Sequence, residues 1–165
     1  EIDPEAQTVK TASSGDVGYD YLVVCPGLAL DWDRLPGSQE TLGRDGVSSN
    51  YTVDTAPKTW EFIKATRGGT AVFTMPSGPI KCAGAPQKIA YLASHYWQQK
   101  GTLKDIHVIL VLPTSAMFGV PEFSKVLVGV AERYGIDVRL SSEVTEINPD
   151  SKEVVITGLS GDHDK

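Results

Sequence analysis

Between Asn50 and Leu140 three helical patterns alternate with three apolar, strand-like runs, and this alternation leaves few folds open. Asp54 or Thr55 is placed to cap a helix with Pro57 in its first turn, and Trp60, Ile63 and Lys64 follow at helical spacing. Gly68-Gly69 closes it, and Thr70 to Met75 reads as a buried strand. A second helix, Gln87 to Gln98, carries Ile89, Leu92, Ala93, Tyr96 and Trp97 on one face and ends at Lys100-Gly101. Asp105 to Leu112 is apolar almost without interruption, as in the centre of a parallel sheet. Pro121 opens a third helix with Phe123, Val126, Leu127, Val130 and Ala131 on its apolar face; Gly135 caps it, and Ile136 to Leu140 is a third strand. The order predicts an α/β fold, a Rossmann-like domain whose parallel strands are joined by right-handed crossovers.

The flanks are less regular. Ile2 to Thr11 reads as a turn and a short strand, and Ser13 to Asp16 as a turn cluster. Tyr19 to Val24 is a β-favouring run that stops at Cys25-Pro26-Gly27. Leu28 to Ser49 is a long connection with a helical turn near Trp32 to Leu35, a length that in a compact domain signals function or a crossing between domains. After the third strand, Glu143–Asn148 and Lys152–Ile156 form an antiparallel ribbon, a β-meander hanging off the α/β unit, and Gly158 to Lys165 reads as a frayed polar tail. Glu1-Ile2-Asp3-Pro4-Glu5 with Thr8-Val9 is faintly echoed by Glu146-Ile147-Asn148-Pro149-Asp150 with Glu153-Val154-Val155. Two such turns fit a duplicated dinucleotide-fold architecture.

The chemistry is expected in Ser77 to Ile89, a Gly- and Pro-punctuated loop running from strand into helix, where α/β proteins place ligands because helix N-terminal N–H groups are free. Cys82 lies there with Lys81 beside it, and both the helix start and Lys81 favour a thiolate. A buried structural thiol explains the same residue, and the residues alone do not separate the two readings. A dinucleotide-binding turn shows Gly-x-Gly-x-x-Gly after the strand; here only Gly78 and Gly84 occur, with Pro79 between, which argues against NADH binding.

With a net charge of −6, the chain has no basic balance to favour nucleic acid as a partner. No apolar run approaches the ~20 residues of a membrane span. Two cysteines suit free thiols in a reducing compartment better than a stapled scaffold, and His95, His107 and His163 are scattered, so no metal site is expected. Trp60, Tyr96 and Trp97 read as core, Phe118 as packing, and Glu122 as a complement to the helix dipole. The chain opens on Glu1 without initiator methionine or signal pattern, so it reads as an internal stretch that is silent on targeting.

The two turns, the strand ending in Cys25-Pro26-Gly27 and the α/β unit between them resemble the middle of a flavoprotein of the pyridine nucleotide-disulfide oxidoreductase superfamily. There, a second nucleotide-type domain is inserted into the FAD domain, and an Ala-Thr-Gly-like turn lies beside the flavin nucleotide; here only its glycine is kept. Ser49 to Thr55 with Lys58-Thr59-Trp60, the run Ile80 to Ile89, Tyr91-Leu92 and Phe118-Gly119-Val120 resemble sulfide:quinone oxidoreductases of the two-cysteine type. The likeness runs across nearly all 165 residues, which correspond to the central part of such an enzyme.

The resemblance implies oxidation of sulfide to persulfide or polysulfide sulfur, with electrons passing through FAD to a quinone. Cys82 matches one of two redox cysteines, and its partner falls beyond Lys165; Tyr51, where another branch has a third cysteine, favours the two-cysteine branch. Pro26, Gly27, Pro79 and Lys81 are the implied cofactor-binding residues, and Cys25 is structural, packed near the nucleotide end of the flavin. Residues 1–49 become a remnant of the FAD domain, 50–142 the inserted nucleotide-type domain, and 143–165 a ribbon returning toward the FAD domain. By itself the chain is then expected to be soluble, inactive and flavin-free, with exposed strand edges that favour homo-oligomers. The whole enzyme is implied to be a peripheral protein of a bacterial cytoplasmic or mitochondrial inner membrane, attached through its C-terminal region. An NADH:quinone or other flavin-dependent dehydrogenase and a non-catalytic Rossmann-like binding module are the alternatives.

Overall fold

The apolar run becomes strand β5 (Ile106–Val111), the centre of a three-stranded parallel sheet with β4 (Gly69–Thr74) on one side and β6 (Asp137–Arg139) on the other. The structure, a computed structural model, describes residues 1–159 and the backbone strand β9 (His163–Asp164). The connections are helices: α3 (Ala85–Lys100) between β4 and β5, and α4 (Pro121–Tyr134) between β5 and β6, each with a proline in its first turn and a left-handed glycine, Gly101 or Gly135, after its last. Helix α2 (Ala56–Ala65) leads into β4. Thr55 occupies its N-cap position without capping it, because its hydroxyl donates to the Ser49 carbonyl at 2.5 Å.

Strand periodicity divides β5 between two cores. Ile106, Val108 and Leu110, followed by Leu112, face Ile63 of α2, Ala90, Ala93 and Trp97 of α3, and Ala131 of α4. Ile109 and Val111 face the other way, onto Val144 of β7 (Ser142–Asn148) and Ile156 of β8 (Glu153–Gly158). Both faces are therefore covered, which is why the run is apolar at nearly every position. Each such side chain contributes about 1.5–3 kcal/mol on burial. Helices, parallel sheet and antiparallel meander make three layers of an α/β Rossmann-like domain. The meander, β7-β8-β9, lies across the sheet instead of hanging from it.

Both prolyl turns fold alike. β1 (Ile2–Asp3) pairs with β2 (Thr8–Thr11) through Ile2 opposite Val9 and Asp3 opposite Thr8; β7 pairs with β8 through Ile147 opposite Val154 and Asn148 opposite Glu153. The last loop residue is left-handed in each, Gln7 at φ 50° and Lys152 at φ 57°. Asp3 Oδ1 accepts from the N–H groups of Glu5 and Ala6 (3.0 Å each), and Asn148 Oδ1 from that of Ser151 (3.2 Å).

Several expectations need correction. Tyr19–Val24 is not a strand: only the Tyr19 N–H finds a backbone partner among the described residues, the Gln7 carbonyl at 2.9 Å, and Tyr21 and Val23 are 94% and 83% exposed. Part of the Ser13–Asp16 turn cluster continues as β3 (Gly15–Gly18), which pairs with β2. On α3, Leu92 faces solvent, because the helix is rolled to bring the small residues Ala90, Ala93 and Ser94 against the sheet. On α4, Phe123 and Val126 are exposed for the same reason, with Ala131 inward. Trp97 is core, but Trp60 is half exposed and meets Tyr96 edge-on at 4.9 Å. β4 is only half buried, because β5 pairs with one of its edges and, among the described residues, no other strand pairs with the second. The long connection holds a 3₁₀ turn at Trp32–Arg34, as expected, and a short helix α1 (Ser38–Thr41). The frayed-tail reading falls largely outside the described residues.

Candidate functional site

The loop from β4 into α3 leaves the carboxyl edge of the parallel sheet, as the strand–helix order requires. Met75 still belongs to the sheet, its N–H donating to the Val111 carbonyl at 3.1 Å. From Pro76 to Lys81 the backbone makes no backbone–backbone hydrogen bond among the described residues. The next one joins the Ala85 N–H to the Cys82 carbonyl (3.2 Å) and opens α3.

Cys82 is a free thiol and exposed, so the buried structural reading is set aside. Its Sγ leans over the helix start: a methyl group added at Gly84 would come 3.9 Å from it. Pro79 and Lys81 are exposed on the same loop. The side chain of Lys81 crosses to the distant Cys25-Pro26-Gly27 turn, where a methyl group on Gly27 would sit 3.5 Å from Lys81 Nζ. Gly27 has φ +85°, a left-handed conformation that glycine adopts at least cost. Lys81 and Gly27, 54 positions apart, are thus adjacent, and Cys82 follows directly; Pro26 stays exposed on the turn. Cys25 is an exposed free thiol and not packed, because the run before it has no strand partners among the described residues.

The base of this loop is held by residues that the sequence did not single out. Glu143 of β7 accepts the Ser77 N–H at 2.9 Å and faces the Ser77 hydroxyl at 2.9 and 3.0 Å. Arg34, from the long connection, donates through one nitrogen to the Ser77 carbonyl (2.9 Å) and through the other to the Ser77 hydroxyl (2.5 Å), and lies 3.5 Å from Glu143. Gly78 follows at φ +100° with a guanidinium nitrogen of Arg34 over it, 3.2 Å from where a methyl would be. A carboxylate thus takes the first free N–H after the strand, the kind of donor a pyrophosphate needs in a dinucleotide turn.

At the other end of the loop, buried Gln87 donates its side-chain amide to the Met117 carbonyl. Tyr91 Oη lies 3.3 Å from Gln87 Oε1 and 3.2 Å from the Leu127 carbonyl, and burial holds its phenol above the usual range. The helix that carries Cys82 at its entrance is tied in this way to the β5–α4 loop and to α4. Among the described residues no three His, Cys, Asp or Glu side chains converge as a metal site would require, and no helix is long and apolar enough to cross a membrane.

No protein-family model matches the chain. A mitochondrial sulfide:quinone oxidoreductase of Dictyostelium discoideum is 40% identical over 159 residues, 96% of this chain and 35% of that protein. The chain is a relative of the sulfide:quinone oxidoreductases. The mitochondrial sulfide:quinone oxidoreductase of Mus musculus is 32% identical over 155 residues, 94% of this chain and 34% of its own length. Among solved structures, the sulfide:quinone oxidoreductase of the hyperthermophilic bacterium Aquifex aeolicus superposes with a TM-score of 0.74, covering 99% of this chain and 38% of the other. At 23% identity that match speaks for a shared fold. The chain spans about a third of the length of these sulfide:quinone oxidoreductases.

Proposed function

We propose that the chain forms the central part of an FAD-dependent sulfide:quinone oxidoreductase in which Cys82 is one of two redox cysteines. The observation that carries this reading is the exposed Cys82 thiol, set over the start of α3 within a run that resembles the family, in a chain 40% identical to one of its members. Exposure lets a small anion such as hydrosulfide reach the sulfur. Sulfide sulfur becomes bonded to cysteine sulfur as persulfide or polysulfide, and two electrons leave toward the quinone.

The residues fit FAD at the Cys25–Gly27 turn. Gly27 presents bare backbone on an exposed surface, and Lys81 sets an ammonium beside it, a combination suited to a nucleotide phosphate or a polar ring edge. Bound there, FAD supplies a two-electron relay between sulfur and quinone. Pro26 and Pro79 stiffen the two loops that Lys81 bridges. The resemblance assigns 1–49 to the FAD domain and 50–142 to the inserted domain, and the Tyr19–Val24 run, which joins no sheet among the described residues, then needs strands from the rest of the FAD domain. Membrane attachment and the second cysteine belong to the remaining length, and the relatives named as mitochondrial favour the mitochondrial inner membrane over a bacterial one.

The test is Cys82→Ala in the full-length, flavin-loaded protein, with sulfide-dependent quinone reduction as the readout. A loss of at least ~100-fold in kcat is expected from removing a covalent nucleophile; activity near wild type would overturn the redox role. A dehydrogenase using NADH is disfavoured by the Glu143 carboxylate at the strand exit, and flavin reduction on titration with NADH would reinstate it.

A further inference from the structure

We propose that Arg34, Ser77 and Glu143 are positioning residues that set where Cys82 stands relative to the Cys25–Gly27 turn; this rests on the redox reading of Cys82.

Between Met75, the last residue bonded to the sheet, and Cys82, the first bonded into the α3 turn, every hydrogen bond among the described residues is made at Ser77. Its N–H, carbonyl and hydroxyl are all taken, by one carboxylate and one guanidinium. The carboxylate comes from the meander layer and is 16% exposed at its side chain; the guanidinium comes from the connection that follows the Cys25–Gly27 turn. Three segments that bear on the site are therefore joined at a single residue.

Beyond Ser77 the loop has its own freedom. Gly78 is in a backbone region open mainly to glycine, and Pro79 to Lys81 are exposed without backbone partners. A loop anchored only at its ends takes its height and direction from those anchors. Arg34 fixes both the Ser77 carbonyl and, by lying over Gly78, the side from which the loop leaves. Because the connection that holds Arg34 starts directly after Gly27, the clamp and the Lys81–Gly27 apposition form two struts between the loop and neighbouring parts of one stretch. Charge-assisted bonds suit such a strut, being shorter and about twice as strong as neutral ones.

The experiment uses the full-length, flavin-loaded protein with Ser77→Ala, Ser77→Thr, Glu143→Gln and Arg34→Lys, and Cys82→Ala as reference. Two quantities are measured: sulfide-dependent quinone reduction, and the alkylation rate of reduced Cys82 by iodoacetamide, followed by mass spectrometry of its peptide. Ser77→Ala and Glu143→Gln are expected to lower kcat roughly 10- to 100-fold, the scale of a misplaced reacting group, with KM for quinone unchanged. Alkylation of Cys82 is expected to shift at least ~3-fold in either direction as the thiol leaves the helix start. Ser77→Thr, which keeps the hydroxyl that Ser77→Ala removes, should restore both, and Arg34→Lys should fall between because lysine cannot fork. If Glu143→Gln does not accumulate folded, the half-exposed Arg34→Lys carries the same test. Wild-type kcat and wild-type alkylation in the clamp variants would overturn the proposal, as would a lowered thermal midpoint with both quantities unchanged. Should Cys82→Ala remain active, the redox reading fails, while the alkylation rates still decide whether the clamp places the thiol.

Discussion

The hairpins β1–β2 and β7–β8 share a pattern and a backbone but not a fate. Each places an isoleucine opposite a valine, an Asp or Asn as side-chain acceptor, a proline next, and a left-handed residue as the last of four loop positions. Ile147 and Val154 pack against the core formed by Ile109, Val111, Val144 and Ile156, while Ile2 is 45% exposed. The turn is settled by local chemistry that needs no third segment: an Asx side chain that competes for backbone N–H groups, and a proline that fixes φ. Burial depends on what lies underneath. Under β7–β8 lies the odd face of β5, and Pro36 accepts the Ile147 N–H at 2.9 Å.

This contrast can be broken in steps, beginning with the contact only one hairpin has. Gly37 is left-handed at φ +83°, and a methyl there would overlap the Ile147 carbonyl, which is backbone and cannot swing aside. Gly37→Ala should cost on the order of 3 kcal/mol or more in urea unfolding, since strain and overlap add; a change under about 1 kcal/mol would show that the connection does not hold the meander. Next, Ile156→Ala removes a side chain 6% exposed and should cost about 2–4 kcal/mol, whereas Thr11→Ala at the matching place in β2 should stay within about 0.5. Ile147→Ala against Ile2→Ala repeats the comparison at the turn, about 1–2 against less than about 0.5 kcal/mol. The smallest effects should be equal in both hairpins: Gln7→Gly and Lys152→Gly each relieve a left-handed non-glycine residue and should stabilise by about 0.5 kcal/mol after the entropy of glycine is set against it. Unequal values would mean that tertiary contacts reach the turns.

Much of the site lay open in the sequence, and one part did not. Cys82, Lys81 and the Gly27 turn stand in short runs whose punctuation marks a strand exit. The clamp joins Arg34, Ser77 and Glu143 across separations of 43, 66 and 109 positions, and each of its residues is ordinary in its own neighbourhood. A surface-type arginine, a turn serine and a strand-end glutamate carry no local signal of one another. The direction of the Lys81 side chain was equally closed to view: the sequence places it beside Cys82, and folding carries its ammonium to Gly27.

Two apolar runs mark the division between sequence and structure. Ile106–Val111 and Tyr19–Val24 both favour extended backbone and both call for burial. The first lies between strands and under two layers; the second joins no sheet among the described residues and lies in the open. The sequence by itself determined the α/β alternation, the helix ends, the prolyl turns and the cysteine at the sheet's edge, because capping, periodicity and turn chemistry act within a few residues. Which face of α3 turned inward, which apolar run gained partners and which carboxylate closed on Ser77 were decided only by the tertiary structure. Burial and hydrogen bonding are satisfied by groups that the chain brings together from far apart, and a run of residues states a need for them without stating who will meet it.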